Sequence, residues 1–440
     1  MVTFINGYIF GIGIPVLLLL SGIFYCIRLR GFYFVHPLNT VKYLFSGKRR
    51  SGVSPAKALC LALAGTLGVG NMVGVASAIA LGGVGAIFWM WVSALVAMVL
   101  KYAEIVLAMR HRRFDREGRS HGAAMYYIKD LFCGKKTGTA LAAVFAVLCI
   151  VNSISMGGMI QVKAAADAMH GVFGIPPALV GIAFAAVAAY AMWRGAAGVL
   201  RFTEKLVPFM TLGFVVLSVA AIASDLEGAA NAVSSILTNA FTPQSGIGGV
   251  GGFLMSGALR YGTMRGILSN EAGCGTAPAA HAVSDCDSPS EQGIWGIFEV
   301  FVDTILLCTL TAVVIIMSGC FEGRDYMMTT VSAYSLALGN AAGTFIAVSV
   351  VLFGLATVLC WGHYGMESFG YLTGGKSAVR VFVLAYSASV VIGSVISGDI
   401  VWEIADMAIG GMTFINLCVI LAMNREVLQE TETLFKGNRR

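Results

Sequence analysis

Long apolar runs separated by short polar segments are the main pattern along this chain. A helix that crosses a membrane needs about 20 mostly apolar residues. The runs of that kind fall at 5–27, 56–81, 85–109, 138–166, 174–193, 203–224, 247–283, 292–318, 336–369, 378–397 and 400–423. The pattern predicts an all-α polytopic membrane protein with about 11 transmembrane helices, folded as a single domain over 1–440.

The composition indicates that lipid surrounds most of the chain. Only 12% of the residues are charged and 58% are hydrophobic, whereas a soluble domain carries about 25% charged residues. A soluble protein with so apolar a surface would aggregate. We therefore exclude a soluble enzyme, a nucleic-acid-binding protein and a disordered protein, and we expect membrane lipid as a partner of the surface.

The basic residues predict how the chain is oriented in the membrane. The segments 28–57, 110–136, 194–205, 376–380 and 424–440 lie on one side of the predicted topology and hold 24 of the 29 Lys and Arg residues. Lys and Arg accumulate in cytoplasmic loops. The N-terminus is therefore predicted to lie outside, and the C-terminal tail over 424–440 is predicted to lie in the cytoplasm. The membrane is predicted to be the inner membrane of the cell.

Glycine is abundant, with 54 residues against 9 prolines, and it is concentrated in two of the runs. The runs 56–81 and 247–283 are too long and too rich in glycine for plain helices. If 5–27 is an extra N-terminal helix, these two are the first and the sixth of the remaining ten. Paired broken helices at matching positions indicate a transporter with an inverted repeat, here predicted over about 56–224 and 247–423.

The first predicted break reads Gly65-Thr66-Leu67-Gly68-Val69-Gly70-Asn71. Each glycine inside a helix costs about 1 kcal/mol relative to alanine. Unwound backbone in a membrane offers free amides to a carboxylate and free carbonyls to Na⁺. The alternative is a close helix crossing, for which small residues alone suffice.

The second predicted break runs from Gly262 to Pro278 and combines glycine with polar and charged residues. Polar groups inside a membrane span indicate a functional site. Ser269, Asn270 and the backbone at Gly273 are candidate substrate-binding groups. Arg265 and Glu271 form either a functional pair or a structural ion pair that locks the broken helix, with Arg260 as an alternative partner.

Further candidates lie in three other runs. Gln161 could bind a zwitterionic ligand or simply bond a neighbouring helix. Thr357 and Trp361 are four residues apart and therefore share a helix face. We interpret Thr357 as a Na⁺ ligand and Trp361 as the wall for a small apolar side chain, although Trp361 could also be an interfacial residue.

Several charged residues have a structural interpretation. Lys101 and Glu104 are three residues apart and predict an ion pair on one helix face. Lys163 and Asp167 predict an exposed surface pair. Asp303 lies within an apolar run, where it is either a structural acid or a group that carries a proton or a cation.

Three long stretches of the sequence resemble the alanine/glycine:cation symporters, the sodium:alanine symporter family. They are 65–112, which begins GTLGVGNMVG, 265–282, which reads RGILSNEAGCGTAPAAHA, and 356–372, which reads ATVLCWGHYGMESFGYL. A fourth match is FVDTILLCTLTA at 301–312. The similarity covers most of the chain.

The resemblance implies a leucine-transporter-type five-plus-five inverted repeat with one added N-terminal helix. It implies symport of alanine, glycine or a similar small amino acid with Na⁺ by alternating access, with no cofactor other than the coupling ion. By the same resemblance, Val69, Gly70 and Asn71 meet the substrate carboxylate, Gln161 and Trp361 contact the substrate, and Thr66, Gly68 and Thr357 hold Na⁺.

This sequence departs from the family pattern at four positions, which carry Ala356 and Val69 instead of threonine, and Gly158 and Lys163 instead of asparagine. Ala356 removes one oxygen that could bind the coupling cation. An H⁺-coupled or uncoupled transporter of a different amino acid is therefore the alternative function. A channel and a membrane enzyme are less favoured, because no filter loop and no metal-ligand or nucleophile spacing stands out.

Overall fold

The computed structural model describes residues 13–35, 40, 44, 52–241, 257–320, 325–396 and 399–437, and these are almost entirely helical. The helices before residue 242 are α1 Ile14–Arg28, α2 Phe32–Val35, α3 Pro55–Thr66, α4 Val73–Gly82, α5 Ala86–His111, α6 Ala124–Leu131, α7 Lys136–Asn152, α8 Gln161–Phe173, α9 Pro177–Trp193, α10 Ala196–Ser224 and α11 Leu226–Asn239. A two-stranded antiparallel hairpin, β1 Arg113–Phe114 and β2 Ser120–His121, follows α5.

The helices after residue 256 are α12 Gly257–Asn270, α13 Ala277–His281, α14 Pro289–Val300, α15 Thr309–Ser318, α16 Tyr326–Leu338, α17 Asn340–Thr373, α18 Lys376–Val395, α19 Asp399–Ala422 and α20 Asn424–Gly437. The start of α14 shows ordinary capping chemistry. The Ser288 side chain accepts from the Glu291 amide, with Pro289 in the first turn of α14, and both features favour a helix start.

Seven helical segments among the described residues are long and apolar enough to cross a membrane. They are Ala86–His111, Lys136–Phe173, Ala196–Ala223, Pro289–Ser318, Asn340–Thr373, Ser377–Val395 and Ile400–Ala422. Four shorter apolar helices, α1, α3, α4 and α9, fall within other predicted runs. The chain is therefore a multi-pass, all-helical membrane protein.

Both predicted breaks are present where the structure describes the chain. The run 56–81 is divided into α3 and α4 by a short 3₁₀ turn, Val69–Asn71. The run 247–283 begins outside the described residues, and its described part is divided into α12 and α13 by a turn. In that turn Glu271 has φ +53°, Gly273 +80° and Gly275 +78°, so glycine is required at the last two positions.

Two further interruptions occur where the sequence predicts plain helices. The segments Ser153–Ile160, between α7 and α8, and Phe301–Cys308, between α14 and α15, are π-helical. Such insertions occur frequently at functional sites because they displace side chains and carbonyls from the regular helix pattern.

Helix α5 forms the centre of the bundle. It is mostly buried, and its most extensive helix contacts are with α14 and α12.

The C-terminal tail, predicted only as a tail, contains α20, which packs on α5 and α14 and places Glu426 and Glu430 against Arg110. On the hairpin, His121 donates a hydrogen bond to the Glu367 carboxylate, which is the main cause of the raised pKa of that imidazole.

Candidate functional site

The first break lies against α8 and α17. A Cβ atom placed on Gly68 would be 2.7 Å from Thr357 Oγ1 and 2.8 Å from Gln161 Oε1. Only glycine allows these two polar side chains to approach the backbone so closely. The structure therefore brings together three residues that the sequence places in different runs.

Gln161 is the first residue of α8, directly after a π-helical segment, and its side chain is buried. Its Oε1 accepts a hydrogen bond of 3.0 Å from the Val69 amide. Its Nε2 donates to the Met156 carbonyl at 3.3 Å. The side-chain oxygen of Gln161 thus accepts a hydrogen bond from a backbone amide at the place where the first break unwinds.

A cavity of about 760 Å³ extends from the first break to the surface. The predicted site residues that line it are Thr66, Gly68, Val69, Gly70, Gln161, Arg265 and Glu271. It reaches exposed residues at Leu81 and Asp167, on the side that the basic residues predict to be outside. Lys163 and Asp167 form the expected exposed ion pair at its rim.

The remaining predicted substrate and ion residues lie behind this surface. The described lining of the cavity does not include Asn71, Ser269, Asn270, Gly273, Thr357 or Trp361. Trp361 is fully buried, and its Nε1 donates to Glu271 Oε1 at 3.0 Å. In this conformation the indole therefore supports the second break instead of forming the cavity wall.

The predicted pairing of Lys101 with Glu104 is corrected by the structure, which gives each residue other partners. Lys101 Nζ lies 3.0 Å from Glu299 Oε1 and donates to the Asn270 carbonyl at 2.7 Å. Glu104 Oε2 accepts from the Gly275 amide at 3.0 Å and from Asn416 Nδ2 at 2.9 Å. The two residues instead fix the two ends of the second break.

The possible pairing of Arg265 with Glu271 is also replaced by other contacts. Glu271 accepts from Trp361 Nε1 and from Thr276 Oγ1, the latter at 2.8 Å. The Arg265 guanidinium lies 5.8 Å from the centre of the Trp402 ring. Arg265 Nε has no hydrogen-bond partner within the described part of the chain.

Asp303 connects the two breaks. Its carboxylate accepts from Asn71 Nδ2 at 2.7 Å and from Ser269 Oγ at 2.8 Å. The sequence drew attention to Asp303 as an acid in an apolar run. It did not predict Glu299 as the partner of Lys101 or Asn416 as the partner of Glu104. These two belong to α14 and α19, and no local signal connects them with α5.

Two broken helices that meet at a cavity within a bundle of apolar spans are the features of a membrane transporter. The sodium:alanine symporter family model matches residues 1–440, and the chain belongs to that family. Its relatives include a sodium/alanine symporter, AgcS, of Methanococcus maripaludis, 35% identical, with 98% of this chain and 96% of the relative covered. Another relative, an uncharacterized transporter of Haemophilus influenzae, is 36% identical, with 96% and 94% covered.

The fold is similar to that of solved transporters. A crystal structure of MhsT in complex with L-phenylalanine has a TM-score of 0.61 at 12% identity, with 88% of this chain and 93% of that chain covered. Because the chain belongs to the sodium:alanine symporter family, the protein is a transporter and not an enzyme. Its class is that of sodium-coupled amino-acid symporters.

Proposed function

We propose that this protein imports a small neutral amino acid of the alanine/glycine class together with Na⁺ by alternating access. The observation that carries the proposal is the convergence of Gly68, Gln161 and Thr357, of which Gly68 and Gln161 line the cavity and Thr357 lies behind them. Freed backbone, a side-chain amide and a hydroxyl there offer groups for a carboxylate and for a cation. The proposed frame is eleven spanning helices in a five-plus-five inverted repeat with α1 as the added helix.

For the substrate, the contact between Gln161 and Val69 indicates where the carboxylate binds. The amide oxygen of Gln161 accepts from the Val69 amide at 3.0 Å, and a carboxylate oxygen is a stronger acceptor for the same N–H. Arriving substrate would displace Gln161 Oε1, which frees the side chain to bind the substrate in turn. Gly70 and Asn71 follow on the same turn and complete the proposed carboxylate site.

For the coupling ion, the proposed ligands are Thr357 Oγ1 and the carbonyls of Thr66 and Gly68. All are oxygen atoms, as hard cations prefer. Ala356 is fully buried beside Thr357 and offers no side-chain oxygen, so we propose a small ligand set at this position. The second candidate function is H⁺-coupled or uncoupled transport of another amino acid. Two observations favour it: alanine stands at position 356, and the acid Glu271 lines the cavity.

For the second break, we propose that Ser269, Asn270, Gly273 and Trp361 meet the substrate only after the cavity closes. In the described conformation Asn270 Oδ1 accepts from the Ala272 amide at 3.0 Å. The Gly273 carbonyl accepts from Asn416 Nδ2 at 2.9 Å. These contacts hold the shape of the turn that would move.

Uptake of radiolabelled alanine into proteoliposomes tests this function. We expect accumulation when Na⁺ is higher outside, and none when K⁺ replaces Na⁺ at equal ionic strength. A matched arm imposes a proton gradient without Na⁺. Accumulation in that arm alone would replace Na⁺ by H⁺ as the coupling ion, and equal uptake in every arm would contradict coupling altogether. Unitary currents in planar bilayers would indicate a channel.

A further inference from the structure

A cluster of exposed basic and aromatic side chains joins the ends of α9, α10 and α18. The Arg194 guanidinium lies 4.3 Å from the centre of the Tyr190 ring, and the Arg380 guanidinium lies 5.5 Å from the centre of the Trp193 ring. The Tyr190 ring packs edge-on against Phe202 of α10, with 6.3 Å between the ring centres. A cation within about 6 Å of a ring centre is attracted to the face of that ring. These contacts therefore place two guanidinium groups over aromatic rings where three helices meet.

The positive charge at this place is not balanced by acids. Arg201 and Lys205 are exposed at the same end of α10, and with Arg194 and Arg380 they give four cations, which we call the basic interface cluster. Within the described part of the chain, none of these four cations forms an ion pair. Glu204 is the only acid in the sequence of the three helices, and its carboxylate already pairs with a lysine of α3. The cluster is therefore free to attract an anion.

The position of the basic interface cluster matches the boundary between a membrane and water. The segments 194–205 and 376–380 belong to the side that the basic residues predict to be cytoplasmic. Tyr190 and Trp193 are each 53% exposed, as is usual for aromatic residues at a membrane interface. The large exposed side chains further along α10 and α18 are apolar and include Phe209, Leu212, Val381 and Leu384. The cations thus lie at the level of lipid headgroups, next to a surface for acyl chains.

We propose that the basic interface cluster binds the headgroup of an anionic phospholipid from the surrounding membrane. Arg194 and Arg380 hold the phosphate, since guanidinium groups form paired hydrogen bonds with phosphate oxygens. Arg201 and Lys205 add attraction for the net negative charge of the lipid, and the acyl chains lie along the exposed apolar side chains. The inference concerns a partner that neither the proposed substrate nor the proposed coupling ion involves.

A lipid fits this cluster better than a soluble anion or an acidic protein does. A soluble phosphate would use only the charges and would leave the apolar surface beside them uncovered. An acidic protein would have to lie at the level of Tyr190 and Trp193, which lipid surrounds in a membrane. Stacking on the two rings also restricts the guanidinium groups before the ligand arrives, which lowers the entropic cost of binding.

The location of the cluster gives the bound lipid a structural task. Helix α9 packs against both α18 and α10, and on α10 the Glu204 carboxylate lies 2.8 Å from Lys57 Nζ in the first turn of α3. Helix α3 leads directly into the first break. A headgroup that joins α9, α10 and α18 therefore holds the helix that supports α3, and its binding stabilises the folded protein.

Lipid titration of the purified protein in a neutral detergent tests the proposal, with native mass spectrometry and the melting temperature as readouts. Dioleoyl phosphatidylglycerol is compared with dioleoyl phosphatidylcholine, which has the same acyl chains and no net charge. We expect phosphatidylglycerol to bind the wild type more tightly, and Arg194→Gln combined with Arg380→Gln to raise its dissociation constant roughly tenfold or more. The control combines Arg116→Gln with Lys136→Gln, which removes two other exposed cations of the same predicted side and should leave lipid binding unchanged.

Trp193→Leu provides a second test, because it keeps every charge and the apolar surface. We expect it to weaken phosphatidylglycerol binding severalfold, since Arg380 loses the ring on which it stacks. Unchanged phosphatidylglycerol affinity in either variant, or equal affinity of the wild type for the two lipids, would overturn the proposal. Glycerol 3-phosphate carries the phosphate without acyl chains. If it raised the melting temperature as much as phosphatidylglycerol does, the cluster would be a site for soluble anions and the lipid assignment would be wrong.

Discussion

At the scale of single residues, the contact between Gln161 and Val69 leads to a direct prediction for substrate binding. We expect Gln161→Ala to raise the KM for the substrate at least tenfold, because a hydrogen bond to a charged group contributes about 1.5–3 kcal/mol. The melting temperature should change little, since Gln161 bonds only backbone groups of the cavity region.

The measurement is initial uptake rate against substrate concentration in proteoliposomes at saturating Na⁺. Gln429→Ala, at an exposed position on α20, is the matched control and should transport normally. An unchanged KM in Gln161→Ala would remove Gln161 from the proposed substrate site.

Thr357 is expected to affect the ion more than the substrate. Its Oγ1 faces Gly68 and donates to the Phe353 carbonyl at 3.0 Å, which leaves the oxygen lone pairs for a cation. We predict that Thr357→Ala raises the Na⁺ concentration for half-maximal uptake severalfold, whereas Thr357→Ser, which keeps the hydroxyl, does so much less. Equal effects of the two substitutions would assign Thr357 a packing role.

Sequence reasoning reached these residues because their types are unusual in an apolar helix. Gln161, Thr357 and the glycines of the first break could all be predicted as candidates, and the structure places Gly68, Gln161 and Thr357 together. The partners of buried charges could not be predicted in the same way. Lys101 has an acid three residues away, yet it bonds Glu299 of α14, because helix packing brings distant acids closer than local ones.

At the scale of helices, α5 fixes both ends of the second break. Lys101 bonds the carbonyl of Asn270, the last residue of α12, and Glu104 bonds the Gly275 amide ahead of α13. A cation at a helix C-terminus and an anion near an N-terminus both complement the helix dipole. The turn between α12 and α13 therefore depends on two charges from one neighbouring helix.

Removal of Lys101 should consequently be costly. We predict that Lys101→Met lowers stability by about 3–5 kcal/mol, because Glu299 loses its buried ammonium partner and keeps only the contact with the His281 imidazole. The double variant with Glu299→Gln should recover part of the loss. Thermal unfolding in detergent measures both, and a double variant less stable than Lys101→Met would contradict this explanation.

Helices α7 and α17 approach through the π-helical segment between α7 and α8. A Cβ atom on Gly157 would lie 2.2 Å from Trp361 Cβ, so we predict that Gly157→Ala destabilises the protein by about 1–3 kcal/mol through overpacking. Gly74→Ala is the control, because its Cβ would meet no atom within 4 Å. Similar melting temperatures for the two variants would show that the Trp361 contact is not rigid.

The breaks and the π-helical segments differ in how far the sequence reveals them. Glycine clusters at 65–70 and 262–275 predict unwinding, and the structure has turns at both places. The segments 153–160 and 301–308 lie inside long apolar runs, so the sequence predicts each as part of a continuous helix. The structure instead has π-helical turns there.

At the scale of the whole molecule, the distribution of basic residues predicts the orientation, which can be tested by labelling. Cys133 is exposed in the segment predicted to be cytoplasmic. We expect a membrane-impermeant maleimide to leave it unlabelled in intact cells and to label it after permeabilisation. Glu227→Cys, in an exposed position on the opposite side, should show the reverse dependence in a Cys133→Ser background. Labelling of Cys133 in intact cells would invert the topology.

The size of the cavity has a consequence for the surrounding medium. Its volume of about 760 Å³ leaves room for many water molecules besides those that one small amino acid displaces, since one water takes about 30 Å³ in the liquid. Closing it in the proposed cycle must return most of that water to bulk. Osmolytes too large to enter should therefore favour the closed form, and the transport rate should respond to osmotic pressure as well as to ion gradients.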